Sequence, residues 1–130
     1  AQIMIQKNQR FHLIFMDLDH FKQVNDLYGH LAGDEYLCEF ARRIESCLKG
    51  QGTLYRMSGD EFICLFTDKN SREFLEKLMD LSFSVTDCYI PFKGCSAGCA
   101  VFPDDCTSLD KLISLADTKM YRKKNKKHSS

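Results

Sequence analysis

Two short acidic motifs in this sequence contain residue types that bind divalent cations. Asp17 and Asp19 stand two positions apart at the end of an apolar run, and Asp60 and Glu61 lie between two other apolar segments. Mg²⁺ prefers oxygen ligands and is usually held by one or two carboxylates together with nucleotide phosphates. The motifs therefore indicate a metal site for a phosphate compound, although Asp-x-Asp alone is also common as a solvated strand end or helix cap.

The first motif is expected at the end of a central strand. Residues 11–18 are almost continuously apolar, as in a strand that is buried on both faces of a sheet. Because alternate residues of a strand point to the same face, Asp17 and Asp19 are predicted to form a pair of carboxylates there.

The second motif is expected at the tip of a β-hairpin. Residues 53–57 and 61–66 both read as strands, and only a short Ser-Gly-Asp segment separates them, which predicts a tight turn. If this hairpin pairs beside the first strand, Asp60 or Glu61 comes close to Asp17. Carboxylates that converge without a cation repel one another, so a metal ion would relieve an electrostatic cost.

The rest of the chain predicts helices that cover this sheet. Residues 20–28, 31–49, 71–81 and 108–122 read as helices, and residues 88–102 contain one or two further strands. The order is therefore strand, helix, helix, hairpin, helix, strand, helix. It predicts an α+β fold in which a central, mostly antiparallel sheet is flanked by helices, close to the ferredoxin-like plait.

Length and composition fit a single globular domain over residues 1–130. The chain is 44% hydrophobic and its 18 basic residues balance 18 acidic ones, which argues against a general nucleic-acid binder. Six of the basic residues lie in 119–128, so the rest of the chain is acidic. No apolar run is long enough for a membrane helix and no secretory signal opens the sequence. We expect a cytoplasmic domain without membrane contact, although its parent protein could be membrane-anchored.

Seven cysteines are many for a chain of this length. They are odd in number, include no Cys-x-x-Cys pair and mostly occupy apolar-periodic positions, which favours reduced, buried thiols. A metal site made by Cys95, Cys99 and Cys106 is a weaker alternative, because the spacing is unlike that of a zinc finger. Disulfides are the third alternative.

Four segments of the sequence resemble, in order, the signatures of the GGDEF domain, the diguanylate cyclase family. Residues 15–37 (FMDLDHFKQVNDLYGHLAGDEYL) are similar to its first signature, and residues 56–62 (RMSGDEF) resemble its name-giving turn. Residues 96–103 and 115–127 resemble its later strand and final helix. The resemblance implies the palm-type α-β plait of nucleotidyl cyclases. The family's opening segment is missing, so we expect an N-terminally truncated fragment of a larger multidomain protein.

The resemblance implies a catalytic metal site in the two acidic motifs. Asp17 matches the metal-binding Asp, and the main-chain carbonyl of Leu18 matches a backbone ligand of Mg²⁺ or Mn²⁺. Asp60 matches the acid that binds metal and helps to deprotonate the attacking 3′-hydroxyl. Glu61 would support the metal site, and Lys22 matches a residue that stabilises charge in the transition state.

The resemblance also implies a set of GTP-binding residues. Asn25 and Asp34 match the pair that reads guanine, whose N1–H and N2–H₂ donors suit a carboxylate acceptor. His30 and Lys124 match positions assigned to substrate and triphosphate binding. Gly59 would let the backbone approach a phosphate closely because it has no Cβ. Without the resemblance, these positions would be read as turn, cap and solvated helix residues.

Some positions depart from the family pattern. Ser58 replaces the first glycine of the turn, which costs about 1–2 kcal/mol if positive φ is needed there, although its hydroxyl could donate to a phosphate oxygen. Residues 49–52 (KGQG) replace the Arg-x-x-Asp product-inhibition site, so we expect no high-affinity feedback inhibition there. An arginine expected shortly after Lys124 falls at or near His128, which predicts a weaker triphosphate grip or help from neighbouring lysines.

The resemblance implies a bacterial signalling enzyme that condenses two GTP molecules into cyclic di-GMP and pyrophosphate. Each domain would hold one GTP, so catalysis would need a homodimer, and no nucleic-acid polymer is an expected partner. Two alternatives stay open. A catalytically degenerate GTP-binding domain could act as a regulatory or interaction module, which Ser58 motivates. A polymerase-like or other nucleotidyl-cyclase-like enzyme could use the same pair of acids.

Overall fold

A four-stranded antiparallel sheet is the centre of the structure, a computed structural model that describes residues 10–48, 52–66, 71–82, 84–85, 90–102, 104–105 and 107–128. In chain order the elements are β1 (Phe11–Leu18), α1 (Phe21–Tyr28), α2 (His30–Leu48), β2 (Gly52–Ser58), β3 (Glu61–Phe66), α3 (Ser71–Met79), β4 (Ser84–Val85), β5 (Ile90–Pro91), β6 (Cys95–Phe102) and α4 (Leu109–His128). The strand order is β2-β3-β1-β6, and β4 and β5 form a separate two-stranded sheet. The predicted α+β plait with an antiparallel central sheet is confirmed.

Strand β1 lies between β3 and β6 and is buried on both faces of the sheet. Met16 and Leu18 pack into a core that β1 shares with α1, α2 and α3. Leu13 and Phe15 point to the opposite face and pack into a second core with α4. This two-sided burial explains why the strand reads as an unbroken apolar run rather than as an alternation of apolar and polar residues.

Helix α4 approaches the sheet closely because β6 has a glycine at the point of contact. A Cβ on Gly98 would collide with the backbone of α4 at Ala116 and Met120. Met120 itself is buried in the α4-side core. Lys124 lies one helical turn beyond Met120 on the same side of the helix, so this contact brings Lys124 towards the end of β1.

The predicted elements are all present, and their ends differ slightly from the sequence-based bounds. The largest difference is the last helix, which continues to His128 rather than stopping near residue 122. The extension follows from the lysine-rich sequence, because Lys and Arg are good helix formers and cations are favourable near a helix C-terminus. Strand β4 was not predicted, because a two-residue strand gives no periodicity to read.

The described cysteines differ in exposure. The five of them are free thiols: Cys38, Cys47, Cys64, Cys95 and Cys99. Two of them are buried, and burial raises the pKa of the Cys64 thiol far above its ordinary value, so that thiol is inert. The expectation of reduced, buried cysteines is therefore met at Cys64 and Cys95 but not at Cys38, which is exposed. Cys88 and Cys106 lie outside the described residues. Because Cys106 is the third member of the alternative cysteine metal site, that alternative stays a prediction.

Other expectations also fall outside the described part of the chain. Residues 49–51, where the product-inhibition motif is replaced, lie outside it, as do Pro103 and the opening residues 1–9. The side chain of His128 is likewise not described, so its relation to the triphosphate stays a prediction.

Candidate functional site

The carboxylate of Asp17 lies at the end of β1 beside a lysine from the far end of the chain. Lys124 Nζ donates to Asp17 Oδ2 at 2.8 Å, and the two side chains are only 23% and 14% exposed. The other oxygen, Asp17 Oδ1, is buried and has no hydrogen-bond partner among the described residues. A buried carboxylate oxygen without a donor is costly, so this atom is where a cation would be favourable.

Asp60 brings a second carboxylate to the same place. The tip of the β2–β3 hairpin lies beside the end of β1, and Leu18 N donates to Asp60 O at 3.1 Å. Partial burial, a side-chain hydrogen bond with Asp17 and the charge of that carboxylate raise the pKa of Asp60 to about 6, while the Lys124 ammonium acts in the opposite direction. The two acids therefore repel each other in the metal-free protein, as the sequence predicted for carboxylates that meet there.

The hairpin tip is held in shape by two side-chain hydrogen bonds. Arg56 Nε donates to the Gly59 carbonyl at 3.0 Å, and Ser58 Oγ donates to Glu61 Oε1 at 2.8 Å. Gly59 has a φ of 38°, whereas Ser58 is not among the residues with positive φ. The strain expected for serine at this position is therefore absent, because only the second turn position needs the left-handed conformation.

Glu61 is the direct cross-strand partner of Asp17. Opposite residues of an antiparallel pair point to the same face of the sheet, so the side chain of Glu61 emerges on the side that carries Asp17. Its carboxylate is occupied by the Ser58 hydroxyl. Glu61 is thus placed to support the acidic site from the hairpin side.

These groups fit a hard divalent cation. The orphaned Asp17 Oδ1 and the mutual repulsion of Asp17 and Asp60 are both relieved by a positive ion that takes carboxylate oxygens. Within the described residues no three His, Cys, Asp or Glu side chains are grouped so as to hold an ion by themselves. Ligands beyond the two acids would have to come from the backbone, from water or from a nucleotide phosphate.

Asp19 follows directly after the end of β1 at Leu18, and the predicted pairing of its carboxylate with that of Asp17 stays a prediction. Its side chain is buried, and Asp19 Oδ1 accepts a hydrogen bond from Ser96 Oγ at 2.8 Å. The carboxylate partner of Asp17 is Asp60, which only the pairing of the hairpin with β1 could supply.

Four further candidate residues lie on α1 and α2. Lys22 and Asn25 lie on α1, while His30 and Asp34 lie one turn apart at the start of α2 and are exposed. The Asn25 side chain packs against Gly33, where a Cβ would collide with Asn25 Oδ1. Asn25 therefore packs on α2 at the residue that precedes Asp34, and the reading of one base by Asn25 and Asp34 stays a prediction.

Sequence reasoning missed the part that Gly33 and Ser96 play. A single glycine inside a helical stretch signals a close approach only if its neighbour in space is known, and that neighbour is Asn25. Ser96 is a polar residue at the start of an apolar strand, and that was the one available hint of a buried hydrogen bond. Both roles depend on contacts between segments far apart in sequence.

The antiparallel sheet, its flanking helices and the acidic pair at a hairpin tip define a palm of the nucleotidyl-cyclase type. A family model described as "Diguanylate cyclase, GGDEF domain" matches residues 1–130, and the chain belongs to the GGDEF family. A solved sensory box/GGDEF family protein from Caulobacter crescentus is similar to it with a TM-score of 0.80 and 32% identity, over 96% of this chain and 85% of that one.

Curated relatives are longer than this chain. It is 35% identical to the bifunctional diguanylate cyclase/cyclic di-GMP phosphodiesterase MucR of Pseudomonas aeruginosa, over 95% of this chain and 19% of that protein. It is 36% identical to the diguanylate cyclase DgcM of Escherichia coli, over 90% of this chain and 29% of that protein. Across the described residues, no helix combines the length and apolar character needed to cross a bilayer.

Proposed function

We propose that this domain is a diguanylate cyclase, which condenses two GTP molecules into cyclic di-GMP and two pyrophosphates. The observation that carries the proposal is the meeting of Asp17, Asp60 and Lys124 at one end of the sheet, with Asp17 Oδ1 left without a donor. Membership of the GGDEF family and similarity to proteins named diguanylate cyclases support the same reaction.

Asp17, Asp60 and the Leu18 carbonyl would hold Mg²⁺ or Mn²⁺. When bound, the ion lowers the pKa of the ribose hydroxyl and neutralises charge on the phosphates. Asp60 matches the family's proton acceptor and would also take the proton of the attacking 3′-hydroxyl. Lys124 leaves Asp17 and pairs with the triphosphate, since phosphate oxygens offer a more concentrated negative charge.

The residues on α1 and α2 would bind the nucleoside. Asp34 accepts hydrogen bonds from guanine N1–H and N2–H₂, which adenine cannot offer in that arrangement, and the Asn25 amide both donates and accepts. His30 contacts the substrate at the start of α2. Lys22 is exposed on α1 and stabilises the negative charge that develops at the α-phosphate.

Each domain holds one GTP, so the reaction requires two domains facing each other about a two-fold axis. The 3′-oxygen of each nucleotide attacks the α-phosphorus of the other, and pyrophosphate leaves as each new phosphodiester bond forms. Protein concentration should therefore affect the rate more steeply than linearly until the domains are paired.

A test incubates the domain at high concentration with GTP and Mg²⁺ and separates the nucleotides by chromatography. Cyclic di-GMP is expected, and a version fused to a dimeric coiled coil should form it faster. Asp60→Asn should keep the fold and form no product. GTP binding with no product from the paired protein would support the regulatory alternative, and a polynucleotide or cyclic mononucleotide product would support the polymerase-like or cyclase-like alternative.

A further inference from the structure

A buried polar network lies directly behind the acidic site. Asp19 and Ser96 are both buried, with 3% and 1% of their surface exposed. Ser96 Oγ donates to Asp19 Oδ1 at 2.8 Å, and Asp19 N donates to the Gly94 carbonyl at 2.9 Å. A buried carboxylate is tolerated only where hydrogen bonds compensate its lost hydration, so these contacts fix Asp19 firmly.

The same network joins the end of β1 to the turn between β5 and β6 and to α2. Lys93 N donates to the hydroxyl of Tyr36 at 2.9 Å, and Tyr36 is fully buried on α2. Burial, with Asp19 as one of the nearby negative groups, raises the pKa of Tyr36, so its hydroxyl stays protonated. A Cβ on Gly94 would lie only 3.2 Å from Asp19 Oδ2, which shows how closely the turn packs on the carboxylate.

Main-chain hydrogen bonds on either side of the Leu18–Asp19 peptide show where the Leu18 carbonyl points. In an extended strand the N–H and C=O of one residue face the same edge, and Leu18 N donates to Asp60 O at 3.1 Å. The Leu18 carbonyl therefore faces the hairpin turn that carries Asp60. The next N–H, that of Asp19, faces the opposite edge and is bound by Gly94 O, and the planar trans peptide makes these two directions dependent on each other.

The chain turns sharply immediately after this peptide. His20 has a φ of 61° and is the single non-glycine residue with positive φ in the described part of the chain. Helix α1 begins at Phe21 and carries Lys22 and Asn25. Any rotation of the Leu18–Asp19 peptide would thus move the carbonyl and the start of α1 together.

We infer that Asp19 is a positioning residue, which holds the Leu18–Asp19 peptide so that the Leu18 carbonyl faces the cation site formed with Asp17 and Asp60. The inference rests on the proposed function, because it assumes that this carbonyl is a ligand. The Asp19 carboxylate is itself buried and accepts its hydrogen bond from Ser96. Its side chain ties the residue to Ser96 on β6, next to the main-chain hydrogen bond from Asp19 N to the Gly94 carbonyl that orients the peptide.

The experiment measures Mn²⁺ binding in the presence of a GTP analogue whose α–β bridge is a methylene group and cannot be cleaved. Free Mn²⁺ is followed by electron paramagnetic resonance, so the readout does not depend on turnover. Asp19→Ala should raise the Mn²⁺ dissociation constant about tenfold or more, as is typical when a group that orients a metal ligand is lost. Asp19→Asn keeps an oxygen acceptor for Ser96 and should recover part of the affinity.

The matched control is Phe11→Leu at the opposite end of β1, where Phe11 stacks on Phe102 with ring centroids 5.0 Å apart. This variant should lose thermal stability and keep the wild-type Mn²⁺ affinity. Equal affinity in Asp19→Ala and Phe11→Leu would overturn the positioning role. If Asp19→Ala does not fold, Ser96→Ala decides, and an unchanged Mn²⁺ affinity in it would also overturn the role.

The Mn²⁺ measurement separates a failure of the proposed function from a failure of the positioning role of Asp19. If the wild-type protein itself binds no Mn²⁺ with the nucleotide analogue, the proposed function fails and the positioning role fails with it. If the wild type binds and the Asp19 and Ser96 variants bind equally well, only the positioning role is overturned.

Discussion

Replacing Asp60 by asparagine should stabilise the metal-free protein at neutral pH. The pKa of Asp60 is raised from its ordinary value of 3.8 to about 6, so the folded state prefers the neutral carboxyl. The contribution of Asp60 to the free energy of unfolding is therefore fully present below about pH 4 and is lost as the pH rises through about 6, because the native state must then carry the charge beside Asp17. Asparagine has the shape of the neutral acid at every pH and never carries the charge beside Asp17.

The size of the effect follows from the shift. Two pKa units correspond to roughly 3 kcal/mol, and Asp60 is only half-buried, so solvent screening reduces this to about 1–2 kcal/mol. For a chain of 130 residues, that difference raises the melting temperature by about 3–7 °C. The gain should be present at pH 7.5 and absent at pH 4.

The assay is urea and thermal unfolding in EDTA at pH 4, 6 and 7.5. Asp117→Asn, at an exposed position of α4, is the matched control and should follow the wild type at each pH. Adding Mg²⁺ and GTP should stabilise the wild type and have a much smaller effect on Asp60→Asn. The reasoning is refuted if Asp60→Asn is no more stable than the wild type at pH 7.5 in EDTA.

Three further changes test other parts of the site. Lys124→Met leaves Asp17 without its ion pair, so urea unfolding should show a free energy of unfolding lower by about 1–3 kcal/mol. The control Lys123→Met, at an exposed position, should leave the free energy of unfolding nearly unchanged. Equal losses in the two variants would contradict a specific Lys124–Asp17 pair. Asp34→Ser should narrow the preference for GTP over ATP in a binding titration, and an unchanged ratio would argue against its role with guanine. Gly98→Ala should cost about 1–3 kcal/mol by forcing α4 off the sheet, and a wild-type melting curve would disprove that close approach.

Much of the fold could be read from local patterns. The unbroken apolar run of β1, the helical stripe of α2 and the short turn between β2 and β3 each carry their own signal, because burial and turn geometry act within a few residues. The last helix was predicted too short because apolar spacing ends before its lysine-rich final turns, which propensity and charge continue to support.

The site was predictable in its residue types but only partly in its pairings. The acids of both motifs were identified as carboxylates that would meet, and the structure brings Asp17 and Asp60 together. The Asp17–Asp19 pair stays a prediction, and what the structure adds is that Asp19 is tied to Ser96, the cross-strand partner of Asp17. The contact of Lys124 with Asp17 spans 107 positions, which no local pattern can show.

By itself the sequence determined the chemical groups and the secondary structure that carries them: carboxylates after an apolar strand, a glycine at the turn and lysines on the last helix. Tertiary structure alone decided which groups face one another, because antiparallel pairing of β1 with β3 and β6 sets the register that opposes Asp17 to Glu61 on one side and to Ser96 on the other. That register results from burying two apolar faces at once. It also sends Asp19 into a buried network and leaves Asp17 Oδ1 open to a cation.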